Sequence, residues 1–226
     1  MSGLNPAVVF ADADLDLAAG CIVACATALA GQKCTATRQV FAAESVLEGL
    51  SERLADRIEA LRVGDPRDPA TDVGPLITPA ARVDAEARLQ ASLDGGARLV
   101  ARATAADDGG LFAPALLAEP APDDPLRARE LFAPVVTIEP FTTLEEAWRL
   151  ANASPYGLSS AVYGRDADLL LAATERLRTG VVAVNRRGDA VDLEAPFGGR
   201  KRSGNGLPEG GSYAYAAVTE LQAVYG

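Results

Sequence analysis

Cys34 is the residue of this chain best equipped for chemistry. It lies in the run Gly31-Gln-Lys-Cys-Thr-Ala-Thr-Arg38, between an apolar helical stretch and a β-branched one. A nucleophilic cysteine commonly gives its proton to a neighbouring histidine, and the chain contains no histidine. Activation must then come from a carboxylate, from backbone dipoles or from a bound cofactor. The preceding Gly-Gln and the small residues that follow allow a loop that exposes the sulfur and leaves a backbone N–H to hold an oxyanion. Two considerations pull the other way. The C-terminal end of a helix disfavours a thiolate, and a lone cysteine is more often a small hydrophobe than a nucleophile. Cys21 and Cys25, one turn apart on the apolar helix, suit that inert role. A zinc site built from the three cysteines would lack a fourth ligand, so no metal is expected.

The elements that must position Cys34 alternate short apolar runs with longer amphipathic ones. Pro6 to Phe10 reads as a strand buried on both faces. Asp12 and Asp14 offer an acidic N-cap region to a helix predicted over Leu15 to Ala30 and ended by Gly31. Thr37 to Ala42 is the next strand. Glu44 to Arg62 is an amphipathic helix, with Val46, Leu50, Leu54, Ile58 and Leu61 on one face. A proline-punctuated loop follows from Gly64 to Pro75. Helices are predicted over Thr78–Leu93, Leu144–Ala151 and Asp166–Arg178. Extended runs are predicted over Arg98–Ala101, Phe112–Leu117, Val135–Ile138, Ser159–Tyr163 and Val181–Val184. This β-α rhythm with crossovers of about a dozen residues implies a mainly parallel sheet with helices on both faces.

The bulk numbers set bounds. With 226 residues, 49% of them hydrophobic and 23% charged, the composition is that of a soluble globular chain. A net charge of −10 argues against nucleic acid as a partner. No run approaches the length of a membrane span, and the N-terminus lacks the pattern of a secretory signal. An odd number of cysteines does not form a disulfide framework. The expectation is a reduced, cytoplasmic protein.

Five motifs lie in order along the chain. They are Met1-Ser-Gly-Leu-Asn-Pro6 with Asp12-Ala-Asp-Leu-Asp16, Gly31-Gln-Lys-Cys34, Glu130-Leu-Phe-Ala-Pro134, Asn152-Ala-Ser-Pro-Tyr-Gly-Leu158, and Pro196-Phe-Gly-Gly199 with Ser203-Gly-Asn-Gly206. Glu130 stands 96 residues after Cys34. In content, order and spacing the set resembles the NAD(P)-dependent aldehyde dehydrogenase superfamily, over essentially the whole chain. The resemblance implies a three-layer α/β/α catalytic domain over residues 1–200. It also implies a C-terminal segment, residues 201–226, that docks on a cofactor-binding domain and a neighbouring subunit. On their own, Thr219 to Tyr225 would be an exposed edge-strand sequence.

By the same resemblance, Cys34 attacks an aldehyde carbon to form a thiohemiacetal, hydride passes to NAD or NADP, and a thioester is then hydrolysed. Glu130 corresponds to the carboxylate that binds a cofactor ribose, Phe132 to the ring that positions the nicotinamide, and Phe197 to the substrate tunnel. Without the motif, Glu130 would be read as a solvated charge, and Phe132 and Phe197 as packing. The Asn185–Arg200 segment looks most like members acting on semialdehydes of dicarboxylates. Arg186 or Arg187 could meet a substrate carboxylate, but surface charge is the simpler reading, and neither is counted in the site.

Departures from the pattern matter as well. The family's general base precedes the slot that Met1 occupies, and its cofactor domain and oxyanion asparagine lie further upstream. Thr27 replaces an aromatic residue, Ala133 a glycine, and Leu207-Pro208 the usual Arg-Glu. The chain is therefore expected to be the C-terminal half of a longer, homo-oligomeric enzyme acting on a small-molecule aldehyde, and to be inactive alone. Two other readings stay open: a non-catalytic remnant or partner subunit, and a weak thiol esterase.

Overall fold

The computed structural model describes residues 2–105, 110–220 and 222–226. Met1, and Leu221 within the expected C-terminal strand sequence, lie outside them. A seven-stranded sheet runs through the centre. In chain order its strands are β1 (Pro6–Val9), β2 (Gln39–Ala43), β3 (Arg98–Arg102), β4 (Ala115–Ala118), β5 (Val135–Phe141), β7 (Ser159–Tyr163) and β8 (Val181–Val184). Their spatial order is β3-β4-β5-β2-β1-β7-β8. Every neighbouring pair is parallel except β3–β4. A two-stranded ribbon joins β6 (Tyr156–Gly157) to β9 (Arg200–Lys201).

Side chains alternate between the two faces of this sheet. Ala7 and Val9 of β1, Val40 and Ala42 of β2, and Ile138 of β5 pack under α1 (Leu15–Thr27) and α2 (Glu44–Glu59), meeting Ile22, Leu50, Leu54 and Ile58. Val8, Phe41 and Phe141 turn to the opposite face. There they meet Ala147 and Ala151 of α5 (Leu144–Asn152) and Ala173 of α6 (Ala167–Arg176). Further along that second face, Ala115 and Leu117 pack beneath Ala85 and Leu89 of α3 (Pro79–Asp94). The result is the three-layer α/β/α arrangement with a mainly parallel sheet. The central strands are buried on both faces and mostly apolar, with Gln39, Thr137, Glu139, Ser159 and Ser160 as buried polar exceptions.

Helix starts match their capping signals. Asp14 and Asp166 each accept two backbone N–H bonds, and Thr78 and Thr143 one each. Three helix ends fall short of expectation. α6 stops at Arg176, short of Arg178. α2 stops at Glu59, short of Arg62. α1 stops at Thr27, and Leu29, Ala30 and Gly31 all adopt left-handed backbone, with φ of 53°, 55° and 70°. The four-residue helix α4 (Pro125–Ala128) was not foreseen; it is capped by Asp124. Beyond β9, Ser203 is buried, whereas the chain from residue 212 onward is mostly exposed. A single-turn helix, α7 (Tyr215–Val218), is the last regular element. Thr219, Glu220 and residues 222–226 are exposed and form no strand. Among the described residues no helix is long and apolar enough to cross a membrane.

Candidate active site

The loops that carry the candidate residues collect at one edge of the sheet. Asn5 precedes β1, Cys34 precedes β2, Glu130 and Phe132 precede β5, and Ser159 opens β7. Because these strands are parallel and adjacent, their amino ends lie side by side. Ligands of open α/β sheets more often sit at the carboxyl ends, so the position of Cys34 could not be inferred from topology alone.

The Cys34 loop is bound on several sides. Left-handed backbone at Leu29 and Ala30 costs roughly 1–2 kcal/mol per residue, and persists only where its surroundings hold it. Here the backbone N–H and side-chain amide of Gln32 both donate to the Leu29 carbonyl, each at 3.0 Å. Gly31 lies against the Ala133–Pro134 peptide so closely that a Cβ there would sit 2.6 Å from two backbone atoms. A turn closed by the Ala36 N–H on the Lys33 carbonyl (3.1 Å) leaves Cys34 half-buried near its apex. Asn5 holds this turn to the sheet. Its Nδ2 donates to the carbonyls of Cys34 (2.9 Å) and Ala36 (2.8 Å), and its Oδ1 accepts the Ser159 N–H (3.1 Å). Among the described residues no group accepts the Cys34 N–H. That donor is available to an incoming oxygen.

Arg38 ties the cysteine loop to the glutamate loop. Its buried guanidinium donates to the carbonyls of Ala133 (2.6 Å) and Gly31, and lies 3.9 Å from Oε1 of Glu130. Burial pushes the Arg38 pKa down to about 10, with Glu130 opposing the shift. The Glu130 side chain is only 6% exposed. Its Oε2 accepts the Gly3 N–H at 3.3 Å, and Arg88 holds the backbone carbonyls of Arg129 and Glu130. Burial raises the pKa of this carboxyl, and the Arg38 charge works against that rise. Glu130 is thus not the solvated charge that its residue type alone suggested. Two residues on, Phe132 takes left-handed backbone (φ 56°) and is 43% exposed, while Leu131 and Ala133 beside it are buried. The pair is split, with the carboxylate facing in and the ring facing out. Oε1 of Glu130 is enclosed and has no hydrogen-bond donor among the described residues, so it would accept a cofactor hydroxyl only once the carboxyl turns outward.

Phe197 lies on a different segment. It exchanges two 2.6 Å backbone hydrogen bonds with Glu209 and walls a cavity of about 140 Å³ with Val181, Ala183, Arg186, Ala190 and Val191. The chain after β8 is tied to the cysteine loop through Asp189. Lys33 Nζ lies 2.5 Å from Asp189 Oδ2, and Arg187 grips the same carboxylate with two 2.8 Å bonds. Burial alone would raise the Asp189 pKa, but the bonds from Arg187 and Lys33 outweigh it and hold the group below its ordinary value. Arg187 is therefore committed to an internal carboxylate, not a free surface charge. Cys34 and Glu130 share one scaffold through Arg38, Gly31 and Ala133, and the segment that carries Phe197 meets it through the Lys33–Asp189 contact and through Ser203 on Ser2. Asn5, Lys33, Arg38 and Asp189 carry this scaffold and were not singled out by spacing. A polar Asn opening an apolar strand, and an Arg entering a buried one, were the available signals.

Comparison with known proteins gives one result throughout. The family model described as "Aldehyde dehydrogenase family" matches residues 1–224. A succinate-semialdehyde dehydrogenase of Paenarthrobacter nicotinovorans is 40% identical over 223 residues, covering 98% of this chain and 49% of that protein. The lactaldehyde dehydrogenase of Escherichia coli superposes with a TM-score of 0.93 at 30% identity, covering 100% of this chain and 47% of that one. A glyceraldehyde-3-phosphate dehydrogenase of Methanocaldococcus jannaschii, complexed with NADP, gives 0.88 at 34% identity over 95% of this chain and 46% of that one. The chain spans about half the length of the relatives it matches. With the family model matching residues 1–224, the chain belongs to the aldehyde dehydrogenase family.

Proposed function

We propose that this chain supplies the thiol half of an NAD(P)-dependent aldehyde-oxidising site, with Cys34 as the nucleophile. The carrying observation is the clamp that sets the Cys34 turn and the Glu130 loop on one scaffold, through Asn5, Arg38 and the Gly31–Ala133 contact. Attack by the Cys34 sulfur on an aldehyde carbon puts negative charge on the carbonyl oxygen. The uncommitted Cys34 N–H is positioned to hold that oxygen. Glu130 would accept a hydrogen bond from a cofactor hydroxyl, and the exposed Phe132 ring would pack against a flat cofactor ring. A nicotinamide cofactor, when bound, supplies the hydride acceptor. Release of the resulting acyl group requires a water and a base, a role that none of the residues named for this site takes. The finer reading of the substrate is a dicarboxylate semialdehyde, supported by the Asn185–Arg200 segment and by the name of the 40% identical relative. Phe197 would line the path to Cys34. The segment from residue 201 onward would dock on the remainder of a homo-oligomeric enzyme, consistent with the exposed Tyr213, Tyr215 and Val218.

The test is direct. The purified chain should be alkylated by iodoacetamide at Cys34 and should form no NADH with succinic semialdehyde and NAD or NADP. NADH production abolished by Cys34→Ser would overturn the inactivity of the chain alone. Failure of Cys34 to react in the folded chain would overturn its role as nucleophile. The free Cys34 N–H also favours a second reading, a slow thiol esterase. Hydrolysis of an activated ester, lost in Cys34→Ser, would identify it.

A further inference from the structure

Among the described residues, the Lys33–Asp189–Arg187 cluster is the charged group attached directly to the cysteine loop that the proposed chemistry does not use. Its layout is uneven. The Asp189 side chain is 2% exposed, whereas Lys33 is 29% and Arg187 43% exposed. The carboxylate lies beneath and the two cations face outward, so the cluster carries a net charge of +1 with its positive groups toward solvent. Arg186 and Asp192 line the neighbouring Phe197 cavity and offset one another, leaving that balance unchanged. In a chain of net charge −10, a positive site attached to the residue before the candidate nucleophile is a local exception, and charge of one sign near a reactive group raises the local concentration of the opposite sign. Lys33 immediately precedes Cys34, and its ammonium is a compact, flexible point charge suited to a carboxylate or phosphate oxygen.

We infer that Lys33, seated by Asp189 and backed by Arg187, selects aldehydes that carry an anionic group at the far end from the carbonyl. This rests on the reading of Cys34 as nucleophile. Lys33 here is a specificity residue: it draws the anionic end of the substrate to the mouth of the loop and takes no part in bond making. Asp189 is a positioning residue, because its bond to Lys33 Nζ keeps the Lys33 stem folded back beside the turn instead of extended into solvent.

Alkylation of Cys34 by two reagents of similar size tests this without NAD-dependent turnover. Iodoacetate is anionic and iodoacetamide neutral, and the ratio of their rates cancels changes in the sulfur's own reactivity. Labelling is followed by mass spectrometry of the Cys34 peptide in the 226-residue chain, which separates it from Cys21 and Cys25. In Lys33→Met at low salt the iodoacetate-to-iodoacetamide ratio should fall about threefold to fivefold, as expected for loss of one nearby charge in a largely aqueous setting. Lys33→Arg should restore most of it. The wild-type ratio should also fall as salt rises to about 0.5 M, a measurement that needs no variant to fold. A ratio that differs by less than about 1.5-fold between wild type and Lys33→Met, or a wild-type ratio indifferent to salt, overturns the inference and leaves the role of Cys34 standing. Failure of both reagents to label Cys34 in the folded chain overturns both.

Discussion

Replacing Asn5 with alanine tests whether the Cys34 turn is held from the sheet. The change removes three hydrogen bonds, two donated by Nδ2 to the Cys34 and Ala36 carbonyls and one accepted from the Ser159 N–H. Asn5 and Ser159 are both buried, so water does not readily take over. At a net value of about 1 kcal/mol each, the three contribute about 3 kcal/mol, and partners left unsatisfied in the interior raise the cost further. For a urea dependence near 3 kcal/mol per molar, about the upper end for a domain of this size, the midpoint should fall by about 1 M. The assay is equilibrium urea unfolding followed by far-ultraviolet circular dichroism and by Trp148 fluorescence, whose agreement checks two-state behaviour. Asn5→Asp separates hydrogen bonding from packing. It keeps an acceptor for Ser159 but turns carboxylate oxygen toward two carbonyls, so at pH 7 it should be at least as unstable as Asn5→Ala. At pH 5 it should recover relative to Asn5→Ala, because a protonated carboxyl can donate to one of them. A midpoint within about 0.3 M of wild type for both variants would refute the clamp.

Three further substitutions probe other parts of the scaffold. Gly31→Ala places a methyl 2.6 Å from the Ala133–Pro134 backbone at a φ of +70°, and should lower the thermal midpoint sharply or prevent soluble folding. A midpoint within about 2 °C of wild type would disprove the close approach. Ser203→Ala removes a donor to the Ser2 carbonyl (2.5 Å) and an acceptor for the Gly157 N–H (2.9 Å). It should cost about 2 kcal/mol by urea unfolding, with a change under about 0.5 kcal/mol contradicting this. Glu130→Gln should show a signed pH dependence. Burial raises the Glu130 carboxyl above its ordinary 4.5, so the folded state holds that proton more tightly than the unfolded state. The stability contributed by the group is then full below its unfolded pKa and lost as pH rises through its folded one. Wild type should therefore lose stability relative to Glu130→Gln as the pH climbs above about 4.5, and a flat difference up to pH 8 would refute the burial argument.

Much of the fold was legible because its central strands obey one rule. A run such as Pro6-Ala-Val-Val, apolar at every position, has no use except between two layers, and the Asp14, Thr78 and Asp166 caps mark helix starts by their own side-chain chemistry. The end of α1 was misread for a physical reason. Nothing in Ala28-Leu-Ala-Gly31 forbids another helical turn; the left-handed backbone at Leu29 and Ala30 leads into Gly31, which is fitted against the Ala133–Pro134 peptide about a hundred residues away. The candidate site was legible where a motif named it and opaque where partners are distant. Cys34 stood out by its loop. Asp189, 156 positions from Lys33, carried no local signal at all. Glu130 was read as a ribose-binding carboxylate from its motif, while its burial against Arg38 and Gly3 depends on contacts across the fold.

β1 is the first of the seven sheet strands to be made and one of the last to be completed. It lies at the middle of the sheet, flanked by β2 and β7, and Ser159 at the start of β7 is 154 positions from its Asn5 anchor. At 5–20 residues per second, synthesis takes roughly eight to thirty seconds to reach that strand after the first. Throughout that interval one flank of an entirely apolar strand has no native partner. Such high contact order slows folding of a free chain, and a nascent one carries an open, sticky edge for the same reason. The consequence is a protein whose yield depends on translation rate and on chaperone capture. Ribosomal pausing before residue 159 should send more of it to aggregates than pausing after the strand has docked.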